Sequence, residues 1–310
     1  MSVSSKAKIC VVGSCNMDLI TYVSRMPVPG ETIHGDRFLT CFGGKGANQA
    51  VMAAKMGADV SMVGKLGDDL FGKDILQNFD VQGIDVTGIT QSSDAPTGVA
   101  PITVNAKGQN SIIVVAGANE QLSEDDIQNA EAIISAAHIL ICQMEVPVLS
   151  NLKALQLAKR AGVTTVFNPA PAQALPLELY PLCDYFCPNE TEAALLTGLP
   201  VETDAQVKRA AEALLQRGCG TIVMTMGARG VLLWGDEVKE VIPAERVKAV
   251  DSSGAGDCFV GSLSVLLAEG DSLVTATRKA CEIATLSVQK EGTQRSYPER
   301  KDLLKLSSAS

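Results

Sequence analysis

Short apolar runs alternate with amphipathic stretches along most of the chain. The apolar runs predict buried strands at 9–13, 60–63, 139–143, 164–168, 185–188 and 221–225. The amphipathic stretches between them predict helices at 47–56, 69–82, 124–136, 148–161, 190–196 and 205–217. This alternation is typical of an α/β fold with a doubly wound, mostly parallel sheet and helices on both faces.

Two stretches break this rhythm. Residues 19–42 contain strand-like pieces without a helix, and residues 97–116 predict a hairpin that turns at 105–108. We expect both to leave the main sheet and form a small antiparallel β lid on one catalytic domain that spans residues 1–310. Pro101 cannot donate a ladder hydrogen bond, so its strand is predicted to be an edge or to carry a bulge.

The charge balance narrows the possible partners. The chain has 26 basic and 35 acidic residues, which give a formal net charge of -9 and a pI near 4.9. Such a surface repels nucleic acid phosphates and anionic lipid, so we expect neither as a partner. The first strand follows a short polar lead, and no apolar run reaches membrane-spanning length, which predicts a cytoplasmic protein.

Cysteine and histidine usage argues against several kinds of site. None of the nine cysteines forms a Cys-x-x-Cys pair, so we interpret them as small buried thiols in a reducing compartment. The histidines are His34 and His138 alone. A histidine-based metal site or a serine-histidine-aspartate triad therefore has almost no residues from which to form.

A glycine-rich segment at 250–261 runs from a loop into a helix. Gly254 and Gly256 allow backbone amides to converge on an anion at the positive end of that helix. An aspartate at this point, Asp257, suits removal of a proton from a hydroxyl that attacks phosphorus. The alternative is a serine-capped helix start at which Asp257 only complements the helix dipole.

A second glycine-rich turn enters a helix at 41–50. Gly43 and Gly44 are followed by the polar side chains of Lys45 and Asn48, which suit a polyhydroxylated ligand. The segment lacks the spacing of a Walker phosphate loop, and no stretch completes G-x-G-x-x-G after a strand. A plain helix start with a solvated lysine is the alternative.

Together the two segments resemble the signatures of the ribokinase (pfkB) carbohydrate kinase family. They read Gly-Gly-Lys-Gly-Ala-Asn at 43–48 and Asp-Ser-Ser-Gly-Ala-Gly-Asp at 251–257, and the likeness extends from Gly13 to Pro298. The resemblance implies a β lid that also forms a homodimer contact. It further implies ATP-dependent phosphorylation of D-ribose at the 5-hydroxyl, with ribose 5-phosphate and ADP as products.

The resemblance also implies roles for individual residues. Asp257 would be the catalytic base, and the amides of Gly254, Ala255 and Gly256 would stabilise the charge that develops during transfer. The implied sugar-binding residues are Asn16, Asp18, Gly43, Gly44, Lys45, Asn48, Glu145 and Asp257. The implied ATP-binding residues are Asn189, Thr225, Met226, Gly227, Ala228, Arg229, Gly230 and Gly256.

Some of these residues have simpler interpretations. Glu145 precedes a helix that starts near Pro147, Asn189 is a good helix cap, and Arg229 would be a solvated side chain in a tight turn. Cys281 stands where relatives often have an asparagine that faces adenine, which leaves the preferred nucleotide base open.

The resemblance implies two cations. Magnesium would be held through water by Glu192, which suits an ion that keeps its hydration shell. Potassium, a monovalent activator, would bind backbone and side-chain oxygens at Asp251, Ser253, Ser287, Lys290, Gly292 and Ser296.

Other functions stay in view. A related kinase for deoxyribose, fructose or adenosine would use the same catalytic residues, although the sugar-facing set favours ribose. A sugar sensor without catalysis would be expected to lose the base or the anion hole, and both are present. A nicotinamide oxidoreductase would need the dinucleotide fingerprint, which is missing.

Overall fold

The computed structural model describes residues 6–302 and arranges their strands in two sheets. The strands are β1 Lys8–Val12, β2 Asn16–Val23, β3 Arg37–Gly43, β4 Asp59–Gly67, β5 Asp85–Ser92, β6 Gly98–Asn105, β7 Asn110–Ile112, β8 Ile139–Gln143, β9 Thr164–Asn168, β10 Tyr185–Phe186, β11 Thr221–Thr225, β12 Val231–Gly235 and β13 Lys239–Ile242. The α-helices are α1 Lys45–Lys55, α2 Leu70–Gln82, α3 Glu124–Asn129, α4 Glu131–Ser135, α5 Val148–Ala161, α6 Glu190–Thr197, α7 Asp204–Leu215, α8 Ala255–Ala268 and α9 Leu273–Ser287.

The larger sheet has the order β13-β12-β11-β10-β9-β8-β1-β4-β5. Its pairs are parallel from β5 across to β11, and β12 and β13 extend it in antiparallel fashion. The predicted fold class, a mostly parallel sheet with a smaller separate sheet, is confirmed. Because β4 and β8 flank β1 on opposite sides, the strand order reverses there, and a crevice is expected at the carboxyl ends of β1 and β8.

Two apolar cores lie on the two faces of this sheet. Along β1, Ile9 and Val11 pack into the core that contains α1, α2, α8 and α9, whereas Cys10 and Val12 pack into the core beneath α3 to α7. Side chains alternate because successive residues of a strand point to opposite faces. A strand buried on both faces therefore reads as a continuous apolar run, which made the central strands predictable.

The smaller sheet has the order β3-β2-β6-β7, with strands in both stretches predicted for a lid. The expected all-antiparallel pairing is wrong, because β2 and β6 pair in parallel over residues 16–23 and 98–105. The prediction that Pro101 lies at an edge or a bulge is also wrong, since β6 lies between β2 and β7 in regular register. The Pro101 carbonyl still accepts from the amide of Ile113, and β7 ends one residue earlier, where proline would have to donate.

The structure also differs from the prediction at the edges of the larger sheet and within one helix. β5 and β13, which the apolar pattern did not indicate, are the two edge strands of the larger sheet and are partly exposed. The helix predicted over 124–136 is divided into α3 and α4 at Ala130.

The nine cysteines are free thiols, and all except the half-buried Cys41 are buried. Within residues 6–302, no helix has the length and apolar character needed to span a bilayer.

Asp69 joins the smaller sheet to the main body. Its carboxylate caps α2 by accepting from the amide of Gly72 at 2.8 Å, and it also accepts from the amide and the hydroxyl of Thr97, each at 2.7 Å. Thr97 is buried and directly precedes β6. One side chain therefore fixes both a helix start and the entry to a strand of the smaller sheet.

We expect Asp69→Ala to lower the free energy of unfolding by about 2–3 kcal/mol, because it removes a helix cap and leaves a buried amide without an acceptor. Urea titration measures this change. The matched control is Asp68→Ala, which removes the adjacent exposed carboxylate and should cost less than about 0.5 kcal/mol. Equal losses in the two variants would contradict the role assigned to Asp69.

Candidate active site

The crevice forms where the chain leaves β1 and β8. After β1, the Ser14 hydroxyl donates to Oε2 of Glu145, which follows β8, at 2.6 Å. The same carboxylate oxygen accepts from the backbone amide of Lys45, the first residue of α1, at 2.9 Å. Glu145 therefore does not simply precede α5. Its side chain connects the ends of β1 and β8 with the start of α1.

Asp257 lies in the first turn of α8 and is only 6% exposed. Its Oδ2 accepts from Nδ2 of Asn48 at 3.0 Å, and its Oδ1 accepts from Nε2 of Gln49 at 2.9 Å. Gly254, the N-cap of α8, has a φ of 71°, and a Cβ there would overlap the side chain of Thr293. Glycine is thus required at the turn that presents the first amides of α8.

Residues from four of the predicted segments line one cavity, although these segments are far apart in the chain. Residues 254–257 of the α8 turn face Lys45, Asn189, Glu192 and Thr225 across it. Among the amides predicted to hold an anion, that of Ala255 donates to the carbonyl of Ser252 at 3.2 Å. The cavity therefore combines a buried carboxylate, a helix N-terminus and a lysine, which suits transfer of an anionic group to a hydroxyl.

The predicted sugar-facing carboxylate of Asp18 lies in β2 and is largely buried. Burial, together with the negative charges of Glu145 and Asp257, raises the pKa of Asp18 to about 7. At Gly43 a Cβ would overlap the carboxylate of Asp18. Gly44 has a φ of 86°, and a Cβ there would meet the backbone of residues 14–16 at 2.8–2.9 Å. Glycine at both positions lets α1 start against β2.

Lys45 is the cation of this cluster. The negative charge of Asp257 raises the pKa of Lys45, and Glu145 and Glu192 contribute in the same direction against the opposing effect of burial. Its ammonium group is therefore charged at neutral pH. Lys45 lines the cavity and is therefore not the solvated lysine of the alternative interpretation. Its positive charge suits binding of an anionic ligand there.

Two of the predicted sugar-binding amides have protein partners. Asn48 donates to Asp257 as described, and its Oδ1 accepts from Nε2 of Gln294 at 3.0 Å. Oδ1 of Asn16 accepts from Nδ2 of Asn119 at 2.8 Å. Neither residue lines the α8 cavity, but Asn16 and Glu145 line a neighbouring cavity on the side of the smaller sheet.

The predicted nucleotide side is built on the start of α6. Asn189 caps that helix by accepting from the amide of Glu192 at 2.8 Å, and the Glu192 carboxylate accepts from both the amide and the side chain of Asn189. Burial raises the pKa of Glu192, against the opposing effects of Asn189 and Lys45. Thr225 at the end of β11 forms a bridge with Asn189.

The predicted nucleotide segment continues past β11 into a turn at 227–229. Met226 and Gly230 are buried, whereas Gly227, Ala228 and Arg229 are exposed. The Arg229 guanidinium pairs with Glu190 and Asp204 on the surface. Cys281 lies buried in α9, where burial raises its pKa to about 12 and keeps the thiol neutral.

The residues predicted to hold potassium lie on two adjoining loops and, for Ser287, at the end of α9. Asp251 joins these loops, because its Oδ1 accepts from the amide of Ser253 and its Oδ2 accepts from the amide of Gly292, each at 2.9 Å. The hydroxyls of Ser287 and Ser296 are buried and donate to backbone carbonyls, so their oxygens retain lone pairs. The Lys290 side chain has no oxygen and is positively charged, so only its backbone carbonyl fits an oxygen site. This donor set of hard oxygens fits potassium.

Several polar residues at the crevice were not predicted. They are Ser14, Gln49, Asn119, Gln143, Asn168 and Gln294. A usable signal was present for Gln143, since a glutamine at the end of a continuous apolar strand must find a partner. Among residues 6–302, no group of three or more His, Cys, Asp or Glu side chains is arranged to hold a metal ion.

Comparison with known proteins shows similarity to carbohydrate kinases over nearly the whole chain. A family model described as pfkB family carbohydrate kinase matches residues 6–300. A Mus musculus protein named ribokinase is 48% identical over 302 residues, which cover 96% of this chain and 94% of that protein. A Salmonella typhi protein named deoxyribokinase is 42% identical over 292 residues, which cover 94% and 95%.

Solved structures agree with this comparison. The structure of Arabidopsis thaliana ribokinase complexed with ribose and ATP has a TM-score of 0.88 and 35% identity, and it covers 97% of this chain and 98% of that one. Ribokinase from Giardia lamblia has a TM-score of 0.90 and 33% identity, with 99% and 100% covered.

The raised pKa of Asp18 predicts a stability that depends on pH. Between about pH 4 and pH 7 the folded protein keeps a proton on Asp18 that the unfolded chain has lost, so stability falls as pH rises through this window. Asp18→Asn cannot ionise and should lose this slope. Its stability relative to the parent should therefore increase between pH 5 and pH 8, by on the order of 2 kcal/mol.

Urea titrations at the two pH values measure the effect. Asp36→Asn, at an exposed position ahead of β3, is the matched control and should follow the parent protein at both pH values. Parallel behaviour of Asp18→Asn and the parent would show that Asp18 does not titrate in this window.

Proposed function

The chain belongs to the pfkB family of carbohydrate kinases, and we propose that it transfers the γ-phosphate of ATP to the 5-hydroxyl of D-ribose, giving ribose 5-phosphate and ADP. The observation that carries this proposal is the buried Asp257 carboxylate in the first turn of α8, which shares a cavity with Lys45. The similarity to a ribokinase complexed with ribose and ATP supports the choice of substrates. We place the reaction in the cytoplasm, where ATP is available and free thiols stay reduced.

Asp257 acts as the general base in this mechanism. Its carboxylate takes the proton of the ribose 5-hydroxyl as the oxygen attacks the γ-phosphorus in line with the leaving ADP. The amides of Gly254, Ala255 and Gly256 and the ammonium group of Lys45 stabilise the negative charge on the transferring group. For Ala255 this requires its amide to turn from the Ser252 carbonyl or to share its proton with the phosphate.

Ribose binds on the side of the smaller sheet. Asp18 and Glu145 offer carboxylate oxygens to its hydroxyls, and Asn16 and Asn48 add amides, with Gly43 and Gly44 keeping the backbone close. A set of acceptors and donors fits vicinal hydroxyls, each of which both donates and accepts. The smaller sheet acts as a lid that excludes water from the transfer.

ATP binds against the start of α6 and the turn after β11. Asn189 and Thr225 line the cavity. We assign the backbone of residues 226–230, which follow β11, to the nucleotide site as well. Arg229 contributes to ATP binding through its backbone, or through its guanidinium if that group leaves Glu190 and Asp204 for the nucleotide.

Two cations assist the reaction. Glu192 holds hydrated magnesium, which neutralises charge on the phosphates, and its carboxylate oxygens keep lone pairs beyond those used by Asn189. Potassium is held by the loops that Asp251 joins, next to the start of α8, with oxygens of Ser253, Ser287, Lys290, Gly292 and Ser296. The carboxylate and the buried hydroxyls support this assignment.

The test of function is ADP release from ATP and magnesium with ribose, deoxyribose, fructose or adenosine, with and without potassium. We expect ribose-dependent turnover that rises with potassium. Asp257→Asn should lower turnover by about 10³-fold or more while ribose affinity stays within a few-fold, because the base acts only in the chemical step.

Three results would contradict parts of this proposal. Near-normal turnover in Asp257→Asn would exclude the base assignment. Ribose binding without turnover in the parent protein would indicate a sensor. A higher kcat/KM for deoxyribose would assign the chain to the activity for which the Salmonella typhi relative is named.

We also propose that two copies associate through the smaller sheet. Its edge strand β7 and the residues that follow expose an apolar run, in which Ile112 is 52%, Ile113 is 64% and Val114 is 54% exposed. Isolated monomers rarely leave an apolar strand edge uncovered, because it invites pairing with another chain. The similarity to the family supports a second copy of this chain as the partner.

Ile113→Lys should therefore shift the protein from dimer to monomer in light scattering coupled to size exclusion. The control is Val81→Lys, which replaces a 75% exposed residue on α2, away from the sheet, and should leave the mass unchanged. A parent protein that is monomeric at micromolar concentration would rule out this dimer.

A further inference from the structure

A chain of buried amides lies behind Asp257, on the side away from the cavity. Gln49 is fully buried in α1, and its Nε2 donates to Oδ1 of Asp257 at 2.9 Å and contacts Oδ1 of Asn168 at 3.2 Å. Gln49 is not among the residues that line either cavity of the crevice. It therefore contacts the proposed base without a surface on which to contact sugar or nucleotide.

The orientation of this amide is set by a second glutamine. Nε2 of Gln143, at the end of β8, donates to Oε1 of Gln49 at 2.7 Å. An amide has one accepting and one donating end, so this bond turns Nε2 of Gln49 toward the carboxylate. The opposite orientation would place a carbonyl oxygen against the negative charge of Asp257.

This order leaves one polar atom without a partner. Oε1 of Gln143 is buried and has no hydrogen-bond partner among residues 6–302. It lies against Gly13, where a Cβ would overlap it. A buried unpaired acceptor destabilises the folded protein. The unpaired atom thus lies on Gln143, at the far end of this chain of amides, while the donor of Gln49 stays on the carboxylate of Asp257.

A second amide holds the other carboxylate oxygen. Asn48 donates to Oδ2, and its own oxygen accepts from Gln294, whose Oε1 in turn accepts from Asn78 at 3.1 Å. Each oxygen of Asp257 thus has one amide donor from α1. Rotation of a carboxylate about its last torsion is otherwise soft, and donors on both oxygens restrict it.

We propose that Gln49 is a positioning residue for phosphoryl transfer, which holds the Asp257 carboxylate in the orientation that accepts the sugar proton, and that Gln143 acts through it. The inference rests on the proposed function, because it needs Asp257 to be the base. It differs from the roles assigned to Lys45 and Asn48, since Gln49 lines neither cavity and contacts no substrate itself.

Gln49→Met keeps the length and approximate volume of the side chain but removes the amide. We expect kcat to fall by about tenfold to hundredfold, because displacement of a reacting group by a fraction of an ångström to 1 Å has effects of this size. The dissociation constant for ribose, measured by calorimetry, and the KM for ATP should stay within about twofold. A rise in the ribose dissociation constant that matches the fall in kcat/KM would overturn the proposal.

A double-mutant cycle separates positioning from general damage to the fold. In an Asp257→Asn background, Gln49→Met should lower the residual turnover by less than about twofold, because the base that it positions is gone. An undiminished second loss would show that Gln49 supports the site in another way and would overturn the proposal.

Gln143→Met keeps the proposal testable if Gln49→Met does not fold. This change removes the unpaired Oε1 but leaves Oε1 of Gln49 without a donor, so the thermal midpoint should change little. We expect kcat to fall by about threefold to tenfold with the ribose dissociation constant unchanged. An unchanged kcat would overturn the proposal.

The two levels of inference fail in different ways. If the parent protein turns over none of the four substrates offered, the proposed function fails, and the positioning role, which needs Asp257 to be the base, fails with it. If the parent protein turns over ribose and Gln49→Met does so equally well, the function stands and the positioning role fails.

Discussion

The carboxylate of Asp257 is held between two helices that lie side by side, and the arrangement of the crevice depends on this contact. The carboxylate belongs to α8, and the amides that bind its oxygens, those of Asn48 and Gln49, belong to α1. The helices approach this closely because Gly261 has no side chain, and a Cβ there would lie 2.7 Å from the Gln49 carbonyl oxygen. A charge buried without donors would cost several kcal/mol, so the helix contact and the carboxylate depend on each other.

The sequence predicted the backbone features of the site but not the hydrogen-bond partners of its side chains. Glycines such as Gly44 and Gly254 were informative because their positions require a positive φ or a close approach, which few residues tolerate. The amide of Asn48 fits a sugar hydroxyl and a carboxylate equally well, and only the packing of α1 on α8 directs it to Asp257. Gln49 lies among alanines and valine in α1, where the pattern gives no sign of a polar partner.

The same division applies to the fold. Central strands such as β1 and β8 were predicted because burial on both faces produces continuous apolar runs. The direction in which β2 and β6 pair could not be predicted, because an apolar pattern describes the faces of one strand and contains no information on its neighbour. The edge strand β13 was missed for a related reason, since an edge needs little apolar sequence.

The two sides of the crevice differ in charge. Glu145 places negative charge on the side of the smaller sheet, and burial together with the charges of Glu145 and Asp257 holds a proton on Asp18 to near neutral pH. Phosphates are repelled from this side and attracted to the amides of the α8 turn and to Lys45. A neutral polyol meets no such repulsion and can use carboxylates as acceptors. Asp257 lies at the boundary between the two regions, where a hydroxyl held by one and a phosphate held by the other would meet.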